Sequence, residues 1–585
     1  MDELNLVLCG GLSRAAAPRT RQRVRQIPLE FGSAADVHLR VNQLTDAMCA
    51  KADSVTLDLL ELAAYVHTAD QAVTRGGAAE IDYGDGWRRR FRFEVPVRLP
   101  ALWRRPDVQR ALTGALEFLT DDVYEFGFHQ AVDPRRSSDY LVEGGAGGVD
   151  EVVLFSGGLD SLCGAVTELE RGRRVVLLSH RSSTRIFARQ RALFDALRAR
   201  VPAGPPPLHV HVTLNKDEGH GREFTQRGRS FVFAALAAAT ARLAGLDRFR
   251  FYENGVTSLN LPLSPELVGA RASRTTHPQV LARFGRLFTL LFGSPFAVEN
   301  AAQGHTKVEL LERLRASGHA PLCALTCSCS RVWGQPEARP HCGRCSQCVD
   351  RRLCALAAGL SDADDPPDGY ASDPLTGARE GPDLTLAERY VGLARELAPL
   401  EGPRAFAVRF PEVNAALAYL GTSPAAAAAA CHDLYRRHAD GVARGVRRAL
   451  DAVGVLNLHA VPPPSLLGLV LGRGVPGAAP PAPFAPSERG FVVDPDRFQV
   501  RFNGAPCQLG NTKEFHFIAR LHRGRGVYLS LAVLGRDVWD DAGVAKGSVH
   551  RVAASARRSL VALGLPPETI DGSNKGHYRL TLPAT

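Results

Sequence analysis

Long apolar runs are absent from this 585-residue sequence; none approaches the roughly 18 residues that cross a bilayer. No membrane partner is therefore expected. The opening, MDELNLVLCGG, places acids where a secretory signal needs positive charge, and its apolar stretch is short. The expected compartment is the cytoplasm, where disulfides are rare, so the 12 cysteines read as metal ligands or buried thiols. No internal repeat stands out. A G-x-x-x-x-G-K-[ST] motif is also missing, so a loop that transfers a γ-phosphate is not indicated.

What is present is a soluble globular composition, 45% apolar and 23% charged, in a chain long enough for roughly three or four domains. The formal net charge of +10 permits an anionic partner but discriminates little by itself. Residues 1–148 mix short strand-like runs with helical patterns and read as an α+β accessory domain ending in the flexible VEGGAGGVD. From Val152 the pattern alternates strand and helix. The strand candidates are 152–155, 174–179, 208–213 and 248–252, with crossover-length segments between them, which predicts an α/β domain with a parallel sheet over 149–362. A helical region is expected at 363–471, a Pro/Gly/Ala linker at 472–490 and a small domain at 491–585.

The stretch VVLFSGGLDSLCGA carries the first chemical signal. A buried-looking strand stops at Ser156-Gly157-Gly158, and an amphipathic helix follows through Leu159, Asp160 and Ser161. An ordinary strand-to-helix turn would also use glycine. Yet S-G-G-x-D-S fixes five positions and should arise by chance in roughly one chain in a thousand of this length. Glycines let backbone N–H groups approach phosphate oxygens, the helix N-terminus adds favourable potential, and the hydroxyls can donate. Asp160 could orient the loop or help hold Mg²⁺.

The second signal is LTCSCSRVWGQPEARPHCGRCSQCVDRRL. Cys342, Cys345 and Cys348 stand as C-x-x-C-x-x-C, and Cys327 and Cys329 lie upstream, enough thiolates for a tetrahedral zinc site. An iron–sulfur cluster is the competing reading, since closely spaced cysteines suit it too.

SGGLDS resembles the PP-loop of ATP pyrophosphatases, which cleave ATP between its α- and β-phosphates and adenylate a substrate oxygen. With the cysteine motif, residues 150–355 resemble the 7-cyano-7-deazaguanine synthases of the queuosine pathway. That family's zinc motif reads T-W-S-C-Y, then C-G-x-C-x-x-C-x-x-R. Here it stands as Thr326-Cys327-Ser328-Cys329-Ser330, then Cys342-Gly343-Arg344-Cys345-Ser346-Gln347-Cys348 with Arg351 following. The resemblance implies Cys329, Cys342, Cys345 and Cys348 as Zn²⁺ ligands, with Cys327 in place of the family's Trp as an alternative. GRSFVFAALAAATA resembles the family's G-R-N helix, with Arg229 implied as nucleotide-binding and Ser230 replacing Asn. HTKVELLERL resembles its T-K-x-E element and implies a catalytic Lys307 beside Asp160. YENGVTSLNLP follows a strand, where ligands bind in open sheets, so Glu253, Asn254 and Gly255 are the substrate-binding candidates; this segment differs from the family's usual sequence.

The resemblance implies ATP, Mg²⁺ and Zn²⁺ as cofactors and a small-molecule 7-deazaguanine substrate. A 7-carboxy-7-deazaguanine carboxylate would be adenylated and passed to an amine, either ammonia (giving amide and then nitrile) or a protein or nucleic-acid acceptor. The resemblance covers about a third of the chain, and the extra domains are similar to those of enlarged relatives in anti-phage defence operons. A second copy of the chain in a homodimer is a further partner expectation.

The terminal residues 491–582 resemble the winged helix-turn-helix of response regulators through F-N-G, T-K-E-F, L-x-x-x-V-W and a closing G-x-Y-R-L. From Arg489 onward there are 14 Lys/Arg and 8 Asp/Glu, a net of +6, so over half of the formal excess lies in the last sixth. That suits DNA or RNA binding through Lys546, His550, Arg551 and Arg557 on one helix and Lys575 at the wing tip. Winged helices also bind proteins, and an Arg-rich helix is usually a solvated face. The alternative to an enzyme is a DNA-binding regulator that uses the PP-loop domain as a sensor.

Overall fold

The computed structural model describes residues 3–13, 23–31, 36–75, 87–132, 148–200, 204–217, 220–223, 227–262, 273–332, 335–421, 423–472, 490–494, 498–524, 526–539, 541, 543–574 and 576–582. Lys575 and most of the expected linker, 473–489, lie outside them.

The central sheet runs in the order Ala297–Asn300, Arg248–Phe251, Glu151–Leu154, Val175–Arg181, Leu208–Lys216, Val37–Leu39. Its first five strands are parallel, and Val37–Leu39 closes the edge antiparallel to Leu208–Lys216. Helices Leu159–Glu170, Thr184–Arg200, Arg229–Leu243 and Pro278–Phe292 make the crossovers. The four strands read from the sequence are all here. Ala297–Asn300 and Val37–Leu39 are additions, each too short to carry a pattern of its own. Strand order runs outward in one direction from Glu151–Leu154 to Val175–Arg181 and in the other to Arg248–Phe251. The order reverses at Glu151–Leu154, and the carboxyl end of the strands at such a reversal is where open α/β sheets bind ligands.

The N-terminal region departs from the α+β expectation. Its sheet, Val24–Leu29, Leu4–Cys9, Arg90–Val97, Val123–Gln130 in spatial order, is wholly parallel. Leu4–Cys9 is buried at all six positions, as befits a parallel strand covered on both faces. The alternation in Arg90–Val97 comes from a face where Phe91, Phe93, Tyr124, Phe126 and Phe128 pack as a ladder of rings.

This region is not a detached unit. Helices Ser54–Ala72 and Arg229–Leu243 are almost wholly buried, the signature of helices packed on every side; the second is apolar nearly all round, while the first buries Asp58 and Asp70 in ion pairs with Arg98 and Arg89. They pack on each other between the two sheets, and one apolar core runs from Val7 to Phe296. A boundary near residue 148 divides the sequence but not this core.

The helical region is built on the 30-residue helix Pro424–Val453, which packs on Ser346–Ala358, Gly381–Leu397 and Gly402–Arg409. A Cβ at Gly445 would lie 2.5 Å from the carbonyl oxygen of Leu353, and one at Gly441 would lie 3.0 Å from Val308. Glycine at this i, i+4 pair is what admits the close approach. The terminal unit has its own core and comprises an antiparallel meander, Phe491–Asp494, Gln499–Phe502 and Ala505–Gln508. Helices Lys513–Arg523, Leu531–Leu534 and Lys546–Ala562 follow, and His577–Leu580 pairs with both Leu529–Ser530 and Ile570–Asp571.

Candidate active site and metal centre

The glycine turn sits at the reversal point of the central sheet. Phe155 continues its strand by donating to the Leu178 carbonyl, and the chain then reverses through Gly157 at φ +86° into the helix that starts at Leu159. Gly158 is the N-cap and brings no side-chain cap. The Ser156 hydroxyl accepts from Gly158 N at 3.3 Å and lies 3.2 Å from Ser161 Oγ, which donates to the Gly158 carbonyl at 2.9 Å. The turn is braced from outside as well. Gln190 Nε2 donates to the Ser156 carbonyl and Cys327 N to the Gly157 carbonyl. The N–H groups of a helix's first turn have no acceptor within the helix, which leaves those of residues 159–161 without an intrahelical partner.

Asp160 stands in that first turn. Its Oδ2 accepts from Asn254 N at 3.2 Å and Asn254 Nδ2 at 2.7 Å. Its Oδ1 is buried without a hydrogen-bond partner among the described residues and lies 3.9 Å from Lys307 Nζ. Lys307, 5% exposed, opens the helix Lys307–Ala316 behind a capping box made by Thr306 and Glu309. Its ammonium pairs with Asp350 at 2.6 Å. Burial works to lower the Lys307 pKa, but Asp160 and Asp350 overcome it and hold the amine charged. Lys307 of the T-K element and Asp160 of the glycine turn, 147 residues apart in sequence, thus meet at one point.

Glu253 is the third group there. Thr276 Oγ1 donates to it at 2.5 Å. Burial, aided by the charge of Asp160 and opposed by Thr276, Lys307 and Arg229, pushes its pKa up to about 7. Asn300 fixes its backbone by accepting from Glu253 N and donating to the Glu253 carbonyl. Just before it, the Tyr252 ring fills the space left by Gly164 and its hydroxyl donates to the buried Glu168. Asn254 and Gly255 serve the scaffold. Asn254 caps the helix Gly255–Leu259 while orienting Asp160, and Gly255 lies so close to the Gln303 carbonyl that a side chain has no room. Arg229 is exposed at its helix start, with its guanidinium over Phe233 and near enough to Glu253 to favour that carboxylate's charge.

The cysteine cluster resolves the choice among five thiols. Cys329, Cys342, Cys345 and Cys348 are all buried, and their sulfurs lie within 4.8 Å of one another. Cys327 stands apart, its sulfur facing the Pro340 carbonyl at 3.9 Å. Backbone N–H groups point at the sulfurs: Arg331 and Cys342 at Cys329, Arg344 and Cys345 at Cys342. Such donors stabilise thiolates, and four converging thiolates call for a cation. The donor set fits a tetrahedral metal such as zinc. Gly343, at φ +76°, makes the tight turn and leaves no room for a side chain against Ser372. Arg351 is buried beneath the cluster and ties it to the fold through Asp365, Thr326 and the Cys323 carbonyl.

Several participants were invisible in the sequence. Asp350, Gln190, Asn300 and Thr276 have no motif around them; only the position of Asp350, two residues after Cys348, could have drawn attention. In the terminal unit Lys546 and Arg551 are exposed on the helix Lys546–Ala562, joined by Arg558, which the sequence reading passed over. His550 Nδ1 is 2.5 Å from the Tyr578 hydroxyl. Arg557 donates to the Ile570 carbonyl at 2.9 Å and lies over Tyr578, so it fastens the helix to the closing hairpin. Comparison with protein-family models, curated proteins and solved structures returned no match.

Proposed function

We propose that the chain is an ATP-dependent adenylating enzyme that activates a carboxylate of the 7-carboxy-7-deazaguanine type and passes it to an amine. The observation that carries this reading is the convergence of Asp160, Lys307 and Glu253 on the glycine turn, at the reversal point of the sheet. In this reading the turn from Ser156 to Ser161 would hold the departing pyrophosphate with backbone N–H groups and hydroxyls. Lys307 would neutralise charge that grows on the phosphate oxygens as the α–β bond breaks. The Oδ1 of Asp160, which accepts no hydrogen bond from the described residues, would contribute to an Mg²⁺ site shared with those phosphates, since Mg²⁺ typically takes one or two carboxylates plus phosphate oxygens. Glu253 would accept hydrogen bonds from the N–H edge of a guanine-like base, with its ionisation driven by those donors. The metal bound by the four cysteines would be structural, because all four positions are protein ligands.

The experiment is pyrophosphate release from ATP with and without 7-carboxy-7-deazaguanine, in the wild type and Asp160→Ala. Mass spectrometry of the products then separates a free amide or nitrile from an amide on a macromolecule.

The terminal unit's order of meander, three helices and closing hairpin supports a winged helix; Arg551 and Arg558, exposed on one face of its last helix, and Lys546, exposed at that helix's start, supply positive charge suited to nucleic-acid phosphates.

A further inference from the structure

Lys307 makes its shorter ion pair with Asp350, 2.6 Å away, and not with Asp160 in the glycine turn, 3.9 Å away. Asp350 comes from the helix Ser346–Ala358, whose N-cap is the cluster residue Cys345. Its other oxygen, Oδ1, accepts from the Tyr390 hydroxyl at 2.8 Å and faces the Cys354 thiol at 3.6 Å. Tyr390 is buried and belongs to Gly381–Leu397, in the helical region beyond the part of the chain that resembles PP-loop enzymes. The long helix Pro424–Val453 adds two more supports. His438, buried, packs edge-on to the Tyr390 ring, and Arg437 pairs with Glu309 of the Lys307 capping box at 2.5 Å while donating to the Gly304 carbonyl.

These contacts have one common object. A lysine side chain has rotamer entropy to lose when it is held in one geometry. An ammonium facing Asp160 alone could collapse onto that carboxylate and leave the phosphate position. A second carboxylate behind it, itself fixed by a tyrosine hydroxyl, holds the amine between the two.

We infer that the helical region is part of the active site, with Tyr390 and Asp350 acting as positioning residues that hold Lys307 beside the glycine turn. Neither touches the nucleotide; both act through the lysine. This rests on the adenylation reading for the role of Lys307, but not for its placement. The helical region is therefore not a detachable appendage, and substitutions there should act on the chemical step.

The test uses the full chain with its metal, and two readouts: substrate-dependent pyrophosphate release and ATP affinity by calorimetry. Tyr390→Phe removes one hydrogen bond and little else, and should lower kcat up to about tenfold, with KM for ATP nearly unchanged. Asp350→Asn should lower kcat about 10²-fold, the scale of an ångström's misplacement, and Asp350→Glu should recover part of it. Lys307→Met sets the floor. A purely structural Asp350 would instead give parallel losses of folded protein and activity with no rescue by glutamate. Wild-type kcat in Tyr390→Phe and Asp350→Asn, beside an inactive Lys307→Met, overturns the inference. If the wild type binds ATP but releases no pyrophosphate, the adenylation reading fails. The placement still stands if Lys307→Met, Asp350→Asn and Tyr390→Phe weaken ATP binding in that order of severity, and falls if only Lys307→Met does. Absence of ATP binding overturns both.

Discussion

Gly157→Ala tests whether the glycine turn is tuned for its conformation. At φ +86° an L-residue is strained by about 1–2 kcal/mol. The new methyl would also lie 3.2 Å from Gln190 Cγ, which must give way. Moving Gln190 endangers its bond to the Ser156 carbonyl, worth about 1 kcal/mol net. The combined loss is about 2–3 kcal/mol. Gly172→Ala is the matched control, because Gly172 has φ +73° at the other end of the same helix and nothing within 4 Å of its Cβ position. It should lose only the conformational part. Peptide-resolved hydrogen exchange over 151–165 and 166–180 reads both. Opening should become about 30- to 150-fold more frequent near the turn in Gly157→Ala, against about 5- to 30-fold in the control, at a tenfold per 1.4 kcal/mol. ATP affinity should fall in Gly157→Ala alone. Equal exchange and equal affinity in the two variants would refute the reasoning.

Elemental analysis should find one metal ion per chain on the cysteine cluster, lost in Cys348→Ser with a lower thermal midpoint and retained in Cys327→Ser, whose sulfur lies outside the cluster. Burial first, and Asp160 next, raise Glu253 to about 7 from an ordinary 4.5, so the folded state holds this proton more tightly than the unfolded one. Stability from this group is full below about pH 4.5 and is lost as pH rises through 7. The thermal midpoint of the wild type should therefore drop more between pH 5 and 8 than that of Glu253→Gln. In the terminal unit, Arg551→Ala and Arg558→Ala should each reduce the salt slope of nucleic-acid binding by about 1. Arg557→Ala should instead loosen the closing hairpin, seen as faster exchange over 568–582.

The central sheet was legible because its strands alternate with crossover-length helical segments, and two of them carry short apolar runs, VVL in Glu151–Leu154 and VVLL in Val175–Arg181. Ala297–Asn300 escaped because a four-residue strand at a sheet edge, with one exposed position and no buried one, has no periodicity to read. The N-terminal sheet was misjudged for another reason. Nothing local in Arg90–Val97 marks how it pairs, because its parallel partners on the two sides come from segments about 80 residues before and 30 after it. The ligand set around the cysteines needed geometry, since spacing alone does not separate Cys327 from Cys329. Tyr390 has no signal of its own, and Asp350 has only its place two residues after Cys348. Their meeting with Lys307 is created by packing of helices that lie 40 to 80 residues apart, and no local pattern encodes it.

The most direct test of the account is pyrophosphate release from ATP by the purified, metal-loaded chain. Release that requires both 7-carboxy-7-deazaguanine and an intact Asp160 is the predicted result. ATP bound at the glycine turn with no release in the presence of that carboxylate and an amine would contradict the account and favour a nucleotide sensor.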